Sequence, residues 1–215
     1  MTDRASFLAA VASTPRGHDP GLPSRDAAPG APTELAAGES LLDRFQAEAE
    51  AVATIVERVA ADDVPGAVAA ALRAAGARTA ALAADLGDLL EPVRTDCAAA
   101  GIVVDDYAAI AGDRARAGAL DATVTGCIAA VAATGSIVTT GAGGRAAALI
   151  APTHVCVVRA DQVVDGLHAL FAGDAIAGAG SMLALQAGPS RSADIEKTLI
   201  LGVHGPGRVH VVLAV

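Results

Sequence analysis

Apolar residues in the first half of the chain change spacing from helical to strand-like. Leu41, Leu42 and Phe45 recur at helical spacing, which predicts a helix over residues 40–51. The β-branched run at residues 52–56 then predicts a strand. A helix followed at once by a strand is typical of a domain that packs helices on a sheet.

The same alternation continues to residue 105. A helix is expected over residues 63–75, with Asp62 or Asp63 at its N-cap, Pro65 in its first turn and Gly76 after its end. The next elements are a strand at 78–83, a helix at 86–100 interrupted at Pro92, and a strand at 101–105. This order predicts βαβ units and a largely parallel sheet.

The second half of the chain is richer in strands. Strands are expected at residues 136–140, 147–150, 155–158, 181–186 and 208–215, and the strand at 181–186 is expected to be buried. A helix that begins with an acid is expected at 161–171. We interpret residues 141–144 as a hairpin turn rather than a phosphate loop, because strand-like residues follow them. The charge-free run 122–144 contains neither Leu nor Phe, so it is expected to be domain interior and not a membrane span.

The N-terminal region differs in composition from the rest. Residues 14–38 contain five prolines and several glycines, which predicts an extended arm or a linker rather than a packed element. Residues 6–12 fit a short amphipathic helix better than a signal peptide. We therefore divide the chain into an N-terminal helix with its arm at 1–38 and an α/β domain at 39–215.

Charge and cysteine content narrow the function classes. The net charge is −9, and there is neither a basic run nor an aromatic stacking platform, so nucleic acid and anionic membranes are not expected as partners. Cys97, Cys127 and Cys156 are odd in number and widely spaced, which argues against a disulfide framework and a cluster motif. A cytoplasmic location is the simplest interpretation, and no metal site is predicted.

Turn-forming and polar residues concentrate between residues 187 and 207. Gly188 permits close backbone approach, Ser190 or Ser192 can cap a following turn, and Arg191 offers a planar fork for a carboxylate or phosphate. Such a loop at the carboxyl end of a strand predicts an anion pocket. The alternative is purely structural: the serines cap a helix and Arg191 pairs with a nearby acid, Asp194 or Glu196.

His204 lies in a tight turn before Gly205-Pro206-Gly207. Its ring could face the same pocket as a hydrogen-bond donor or general acid–base, or it could have a structural role only. Neither His154 with Cys156 nor His204 with His210 has a metal-ligand spacing.

Several of these segments, taken together, resemble the lactate-utilisation protein C family (LutC/YkgG), which is built on the LUD domain. The resemblance is carried by Ala133-Thr-Gly-Ser-Ile-Val138, by Arg145 leading to Pro152-Thr-His154, by Gly188 to Glu196, and by Gly202-Val-His-Gly-Pro-Gly207. It covers roughly residues 124–215.

The resemblance implies a three-layer α/β/α fold with a largely parallel central sheet, similar to the sugar-phosphate isomerase and CoA-transferase-like (NagB/RpiA-like) fold, preceded by a helical N-terminal arm. It also implies a role in oxidising L-lactate to pyruvate together with iron–sulfur partner proteins. The clusters would then belong to the partners, with no cofactor in this chain. It leaves open whether this chain is itself catalytic, and no catalytic residue is assigned.

Binding of a small anionic ligand is what the resemblance implies for the motif residues. They are Thr134, Gly135, Ser136, Gly188, Pro189, Ser190, Arg191, Ser192, Asp194, His204 and Gly205. The family pattern usually has an acid before the Thr-Gly pair and another a few residues upstream, where this chain has Ala133 and Ile128.

Two alternatives to the lactate-system component stand beside it. One is a stand-alone isomerase or CoA transferase on the related fold, against which the missing acid at Ala133 counts, because such transferases use a glutamate nucleophile. The other is an interaction module in which the motif loops only close the fold.

Overall fold

The computed structural model describes residues 3, 4, 6, 35, 38–144, 146–176, 179–180, 182–193, 199–202 and 204–215. The chain forms two compact units, Met1–Pro32 and Thr33–Val215. In the first unit, the Ser6 hydroxyl donates to Asp3 over 2.8 Å. The predicted N-terminal helix and most of the predicted arm lie outside the described residues.

The second unit is organised around a sheet of six parallel strands, as the alternating pattern predicts. The strands are β1 (Ile55–Val59), β2 (Thr79–Leu82), β3 (Val103–Asp106), β4 (Ala122–Thr125), β7 (Thr153–Arg159) and β12 (Arg208–Ala214). Their order across the sheet is β1-β12-β7-β4-β2-β3. The predicted α/β fold with a largely parallel central sheet is confirmed.

Helices cover both faces of this sheet. On one face, α2 (Val64–Ala74) and α3 (Leu90–Ala99) bury Leu72 and Val93 against Val155 of β7. On the other face, α1 (Leu41–Ala51) buries Phe45 against Cys156 of the same strand. Successive residues of a strand point to opposite faces, so the apolar run in β7 serves both layers.

Two element boundaries differ from the sequence prediction for local reasons. Helix α1 begins after the N-cap Ser40, but the backbone turns at Ala53, where φ is +67°, so β1 starts at Ile55 and not at residue 52. The predicted break at Pro92 is wrong, because a proline in the first turn of α3 needs no hydrogen-bond donor. The interruption lies instead at Gly87, within the 3₁₀ segment Ala84–Leu89.

A second, smaller sheet was not predicted. It contains β5 (Ala129–Val131), β6 (Ser136–Thr140), β8 (Val163–Val164) and β9 (Leu183–Gln186), in the order β8-β5-β6-β9. Strand β6 is antiparallel to β5 and β9. The prediction of β9 as a buried strand is wrong, since Leu185 is 42% exposed.

The predicted helix over residues 161–171 is confirmed only in its second half. The segment is divided into a 3₁₀ turn (Ala160–Gln162), β8, and the short helix α6 (Leu167–Ala172). The β-branched pair of β8 is stabilised by parallel pairing with β5, which overrides the local helical spacing. On the outer face of the small sheet, Leu170 of α6 packs against Val131 and Val138.

The glycine-rich segment after β6 does not form the predicted hairpin. Gly141–Gly143 is a 3₁₀ turn, and the residues expected as a strand at 147–150 form turns instead. Ala147 packs there against Tyr107 and Ile110 of the short helix α4 (Tyr107–Ile110), which precedes another, α5 (Arg114–Gly118).

The charge-free run 122–144 is largely buried, as predicted for domain interior. Among the helices in the described part of the chain, none combines the length and the apolar character that crossing a bilayer requires.

Candidate functional site

Two of the motif segments meet through their backbones. Strands β10 (Arg191–Ala193) and β11 (Leu199–Leu201) pair antiparallel, with Arg191 opposite Leu201. The Ser190 N–H donates to the Pro206 carbonyl and the Gly202 N–H to the Ser190 carbonyl, each over 2.9 Å. The loop at 188–190 and the loop at 202–207 are therefore direct neighbours, although they are separate in the sequence.

The third motif segment joins them at the end of helix α1. Gly135 has φ +61°, and a Cβ added there would lie 2.2 Å from the Ala49 nitrogen. Gly188 has φ +78°, and its added Cβ would lie 2.3 Å from the Val52 carbonyl oxygen. Only glycine permits both these conformations and these close approaches. The carboxyl end of α1 is thus the common support of the motif segments, a role that no pattern in the sequence of α1 indicates.

Arg191 lies at this junction. Its Nη2 donates to the Val52 carbonyl over 2.9 Å, and the side chain is exposed. Val52 is the C-cap of α1, where backbone carbonyls lack helical partners and cations are favoured. A guanidinium has five N–H donors, so this bond leaves others for a ligand. The alternative acids, Asp194 and Glu196, lie outside the described residues.

The remaining predicted residues are distributed over the same region. Thr134 donates its hydroxyl to Ser136 over 2.8 Å, and Ser136 is buried at the start of β6. Pro189 is buried, while His204 is exposed. Ser192 pairs with Ile200 through the β10–β11 ladder, and an added Cβ on Gly205 would lie 3.2 Å from Cβ of Ser190. Asp194 lies outside the described residues, and the ligand-binding roles of the whole set stay a prediction.

The two positions that hold acids in the family have distinct surroundings here. Ile128 is half-buried and packs in the cluster of the small sheet. The Ala133 N–H donates to the Asp165 carbonyl over 2.9 Å. One carboxylate oxygen of Asp165, Oδ1, is buried without a hydrogen-bond partner among the described residues. An acid is therefore present beside Ala133, but it comes from the link between β8 and α6.

The motif loops do not lie at the carboxyl ends of the central strands, where the sequence pattern predicts them. The N–H groups of Gly207 and Arg208 both donate to the Pro152 carbonyl, over 2.9 and 3.2 Å. Arg208 and Thr153 are the first residues of β12 and β7, so this loop leads into the amino ends of the central strands. The loop after β9 leaves a strand of the small sheet, and the carboxyl-end rule for parallel sheets does not apply to it.

A buried histidine connects these loops to the central sheet. His154 is fully buried in β7; its Nδ1 lies 2.8 Å from the Gln186 side-chain oxygen and its Nε2 lies 2.9 Å from the Thr125 hydroxyl. The amide oxygen can only accept, so the ring carries its proton on Nδ1 and accepts from Thr125. Burial lowers the pKa of His154 to about 4, which keeps the ring neutral at pH 7. Gln186 is the last residue of β9, two residues before Gly188.

A separate cleft lies at the carboxyl ends of β2 and β4. Its volume is about 20 Å³, enough for a bound water molecule. The Gly126 N–H donates to Asp85 Oδ1 over 3.0 Å, and burial raises the pKa of this carboxyl group. The residues lining the cleft are Asp85, Leu86, Leu89, Gly126, Cys127, Val157, Arg159 and Gln162.

A larger groove of about 430 Å³ adjoins this cleft and shares Leu89 and Arg159 with it. Arg159 is held by Asp88 over 2.7 Å. The sequence analysis missed both features. Their position at the carboxyl ends of parallel strands is the signal that could have found them.

The sequence of the domain matches the LUD domain over residues 42–214, which is most of the chain. Together with the α/β fold and the paired motif loops, this match shows that the chain belongs to the LUD domain family.

Two proteins of Deinococcus radiodurans are similar to it. The curated protein "Lactate utilization protein C" is 39% identical over 100 residues, which are 43% of this chain and 46% of that protein. The match thus spans about half the length of this relative. The crystal structure of a DUF162 family protein has a TM-score of 0.59 at 26% identity and covers 81% of this chain and 96% of its own.

Proposed function

We propose that this chain is a cytoplasmic component of a lactate-utilisation system that supports the oxidation of L-lactate to pyruvate. The name of the D. radiodurans relative and the membership in the LUD domain family support this role. In this proposal the redox centres are iron–sulfur clusters of partner proteins, as the resemblance to the lactate-utilisation protein C family implies, and the wide spacing of the cysteines in this chain agrees with that. The chain itself contributes a binding site and carries no cofactor.

The observation that carries the proposal is the junction of the motif loops at the end of α1. Arg191 is fixed there by the Val52 carbonyl and keeps N–H donors free, and Ser190 and His204 lie in the two joined loops. An exposed guanidinium on joined loops that also carry a hydroxyl and an imidazole group suits the carboxylate and the hydroxyl of a 2-hydroxy acid. The ligand in this proposal is a small carboxylate bound by the remaining N–H donors of Arg191.

Arg208 offers a matched control for Arg191. It is also exposed, and it also donates to a carbonyl at a helix end, Ala74 of α2, over 3.3 Å. Each variant to alanine removes one exposed arginine and one helix-end hydrogen bond. A difference between them therefore reports the binding site rather than helix capping.

The test uses L-lactate, pyruvate and inorganic phosphate as probes in titration calorimetry, and growth on lactate of a strain in which the gene is replaced. We expect Arg191→Ala to weaken carboxylate binding at least tenfold and to abolish growth on lactate. Arg208→Ala should bind and grow like the wild type, with a similar small change in Tm. Carboxylate binding and growth on lactate that are as strong in Arg191→Ala as in Arg208→Ala would contradict the proposal. Equal losses that follow Tm would support a module whose loops only close the fold.

A stand-alone enzyme on this fold is the second candidate, and Asp85 is the observation that favours it. This carboxyl group, with its raised pKa, lies in a cleft at the carboxyl ends of the strands, where open α/β sheets bind ligands. This candidate predicts that the purified chain turns over a sugar phosphate or an acyl-CoA by itself, and that Asp85→Asn abolishes this turnover while Arg191→Ala leaves it unchanged. The lactate-system proposal predicts no such turnover, and a growth defect on lactate for Arg191→Ala but not for Asp85→Asn.

A further inference from the structure

Two of the three cysteines are neighbours in the buried cluster next to the cleft at the carboxyl ends of β2 and β4. Cys127 follows β4, is 8% exposed and lines the cleft. Cys156 lies in the neighbouring strand β7 and is completely buried. The strand register places Thr125 opposite Cys156, so Cys127 is two residues beyond that pair.

The Cys156 side chain lies beside the backbone that leads into Cys127. Cys156 Sγ lies 3.6 Å from the Gly126 carbonyl oxygen, which belongs to the peptide group that leads into Cys127. Both side chains belong to the same buried cluster. A side-chain hydrogen bond with Cys127, together with burial, raises the pKa of Cys156 well above its usual value.

The environments of the two thiols are unequal. Cys127 Sγ lies 3.5 Å from Oε1 of Gln162, at the wall of the cleft, while Cys156 has no exposed surface. A reagent that enters the cleft therefore meets Cys127 first. Cys97 offers a built-in comparison, because it is buried on the far side of the central sheet, in the core formed with α2 and α3. Burial raises its pKa to about 11.

We propose that Cys127 and Cys156 form an oxidisable dithiol, in which a peroxide that enters the cleft oxidises Cys127 and Cys156 then closes an intramolecular disulfide. In the first step, Cys127 sulfur attacks a peroxide oxygen, the O–O bond breaks, and sulfenic acid and water form. In the second step, Cys156 sulfur attacks Cys127 sulfur, the S–O bond breaks, and the hydroxyl group leaves as water with the Cys156 proton. Two thiols and one hydrogen peroxide give one disulfide and two waters, and the two electrons pass from sulfur to peroxide.

The disulfide would change the cleft at one identifiable contact. Gln162 is fixed by three bonds: its Oε1 accepts from the Arg159 N–H over 2.8 Å and from the Cys127 thiol, and its Nε2 donates to the Cys127 carbonyl over 2.7 Å. Oxidation removes the thiol donor and draws Cys127 toward β7. The modification thus acts on the wall of the cleft that also contains Asp85.

Tryptic mapping of the whole protein tests the proposal, because each cysteine falls in its own peptide. Cys97 is in residues 95–114, Cys127 in 117–145 and Cys156 in 146–159. Reduced protein is treated with hydrogen peroxide at a dose that fully oxidises free glutathione, then denatured, alkylated and digested. We expect peptides 117–145 and 146–159 to appear joined, with the loss of two hydrogens, and peptide 95–114 to be alkylated. Dithiothreitol should reverse the change.

Variants separate the roles of the two thiols. Cys97→Ser should form the disulfide like the wild type. Cys156→Ala should leave a sulfenic acid on Cys127 that dimedone traps, and Cys127→Ser should show neither product. Three alkylated thiols in the treated wild type, a bond to peptide 95–114, a disulfide between two chains, or overoxidation of Cys127 without a disulfide would each overturn the proposal. The wild-type map needs no variant, so a folding defect in a variant does not prevent the test.

Discussion

Replacing Gly135 by alanine tests whether the motif segment depends on its contact with α1. The backbone at Gly135 is left-handed, at φ +61°, which costs an alanine roughly 1 kcal/mol. The added Cβ would also lie 2.2 Å from the Ala49 nitrogen and 2.5 Å from its Cα. These are backbone atoms, so α1 or the loop must shift, at a cost of about 1–3 kcal/mol.

The expected loss in the free energy of unfolding is therefore about 2–4 kcal/mol, or a fall in Tm of roughly 5–15 °C for a domain of this size. Gly101→Ala is the matched control, because Gly101 has φ +77° with nothing within 4 Å of an added Cβ. It should lose only the conformational part, roughly 1 kcal/mol. The effect of the mutation on the unfolded chain is common to both and cancels in the comparison.

Urea unfolding followed by circular dichroism measures both variants against the wild type. If Gly135→Ala loses no more stability than Gly101→Ala at equal m-values, the close contact with α1 is not the constraint at this position, and the argument for a shared support of the motif segments is wrong. A larger loss with unchanged m-value would confirm it.

Two further predictions concern buried and capped groups. The folded pKa of His154 is about 4 and lies below its unfolded value near 6.5, so the unfolded chain binds the proton first. The free energy of unfolding should therefore fall by roughly 3 kcal/mol as the pH drops from 6.5 to 4. In urea titrations at several pH values, His154→Gln should reduce the pH dependence of this free energy by the equivalent of about one bound proton. Asp121 Oδ2 accepts from the N–H groups of Arg78 and Thr79, each over 2.9 Å, and these bonds lower the pKa of the carboxyl group. Asp121→Ala should therefore reduce the free energy of unfolding by about 2 kcal/mol at pH 7, and Asp121→Asn should reduce it less. An equal loss for the two variants would refute this account.

The elements that the sequence predicts well are those whose local pattern and tertiary role agree. Helix α2 follows an acidic N-cap position and ends before Gly76, and strand β6 matches its predicted bounds of 136–140. The helix predicted over residues 161–171 does not form in the first half of this segment, because the pairing of β8 with β5 overrides the helical spacing there. Strand pairing partners are distant in the sequence, and no local pattern reports them.

In the candidate site, too, local sequence patterns predict some features and contacts between distant residues decide others. The loops at 188–190 and 202–207 were chosen from their glycines, prolines and Arg191, and the structure joins them by backbone hydrogen bonds. The prediction that these loops lie at the carboxyl ends of the parallel strands is wrong, because β9 belongs to the small sheet. The carbonyl of Val52 that fixes Arg191 is 139 residues away in the chain, and no motif includes it.

The sequence by itself determined the α/β class, the alternating first half, the buried run at 122–144 and the residues whose chemistry suits an anion. The tertiary structure alone decided which edge of the sheet holds the motif loops, that the end of α1 supports them, and that Cys127 lies against Cys156. The physical reason is that local spacing sets backbone propensity and the buried face, whereas the choice among distant partners depends on packing and strand register across the whole domain.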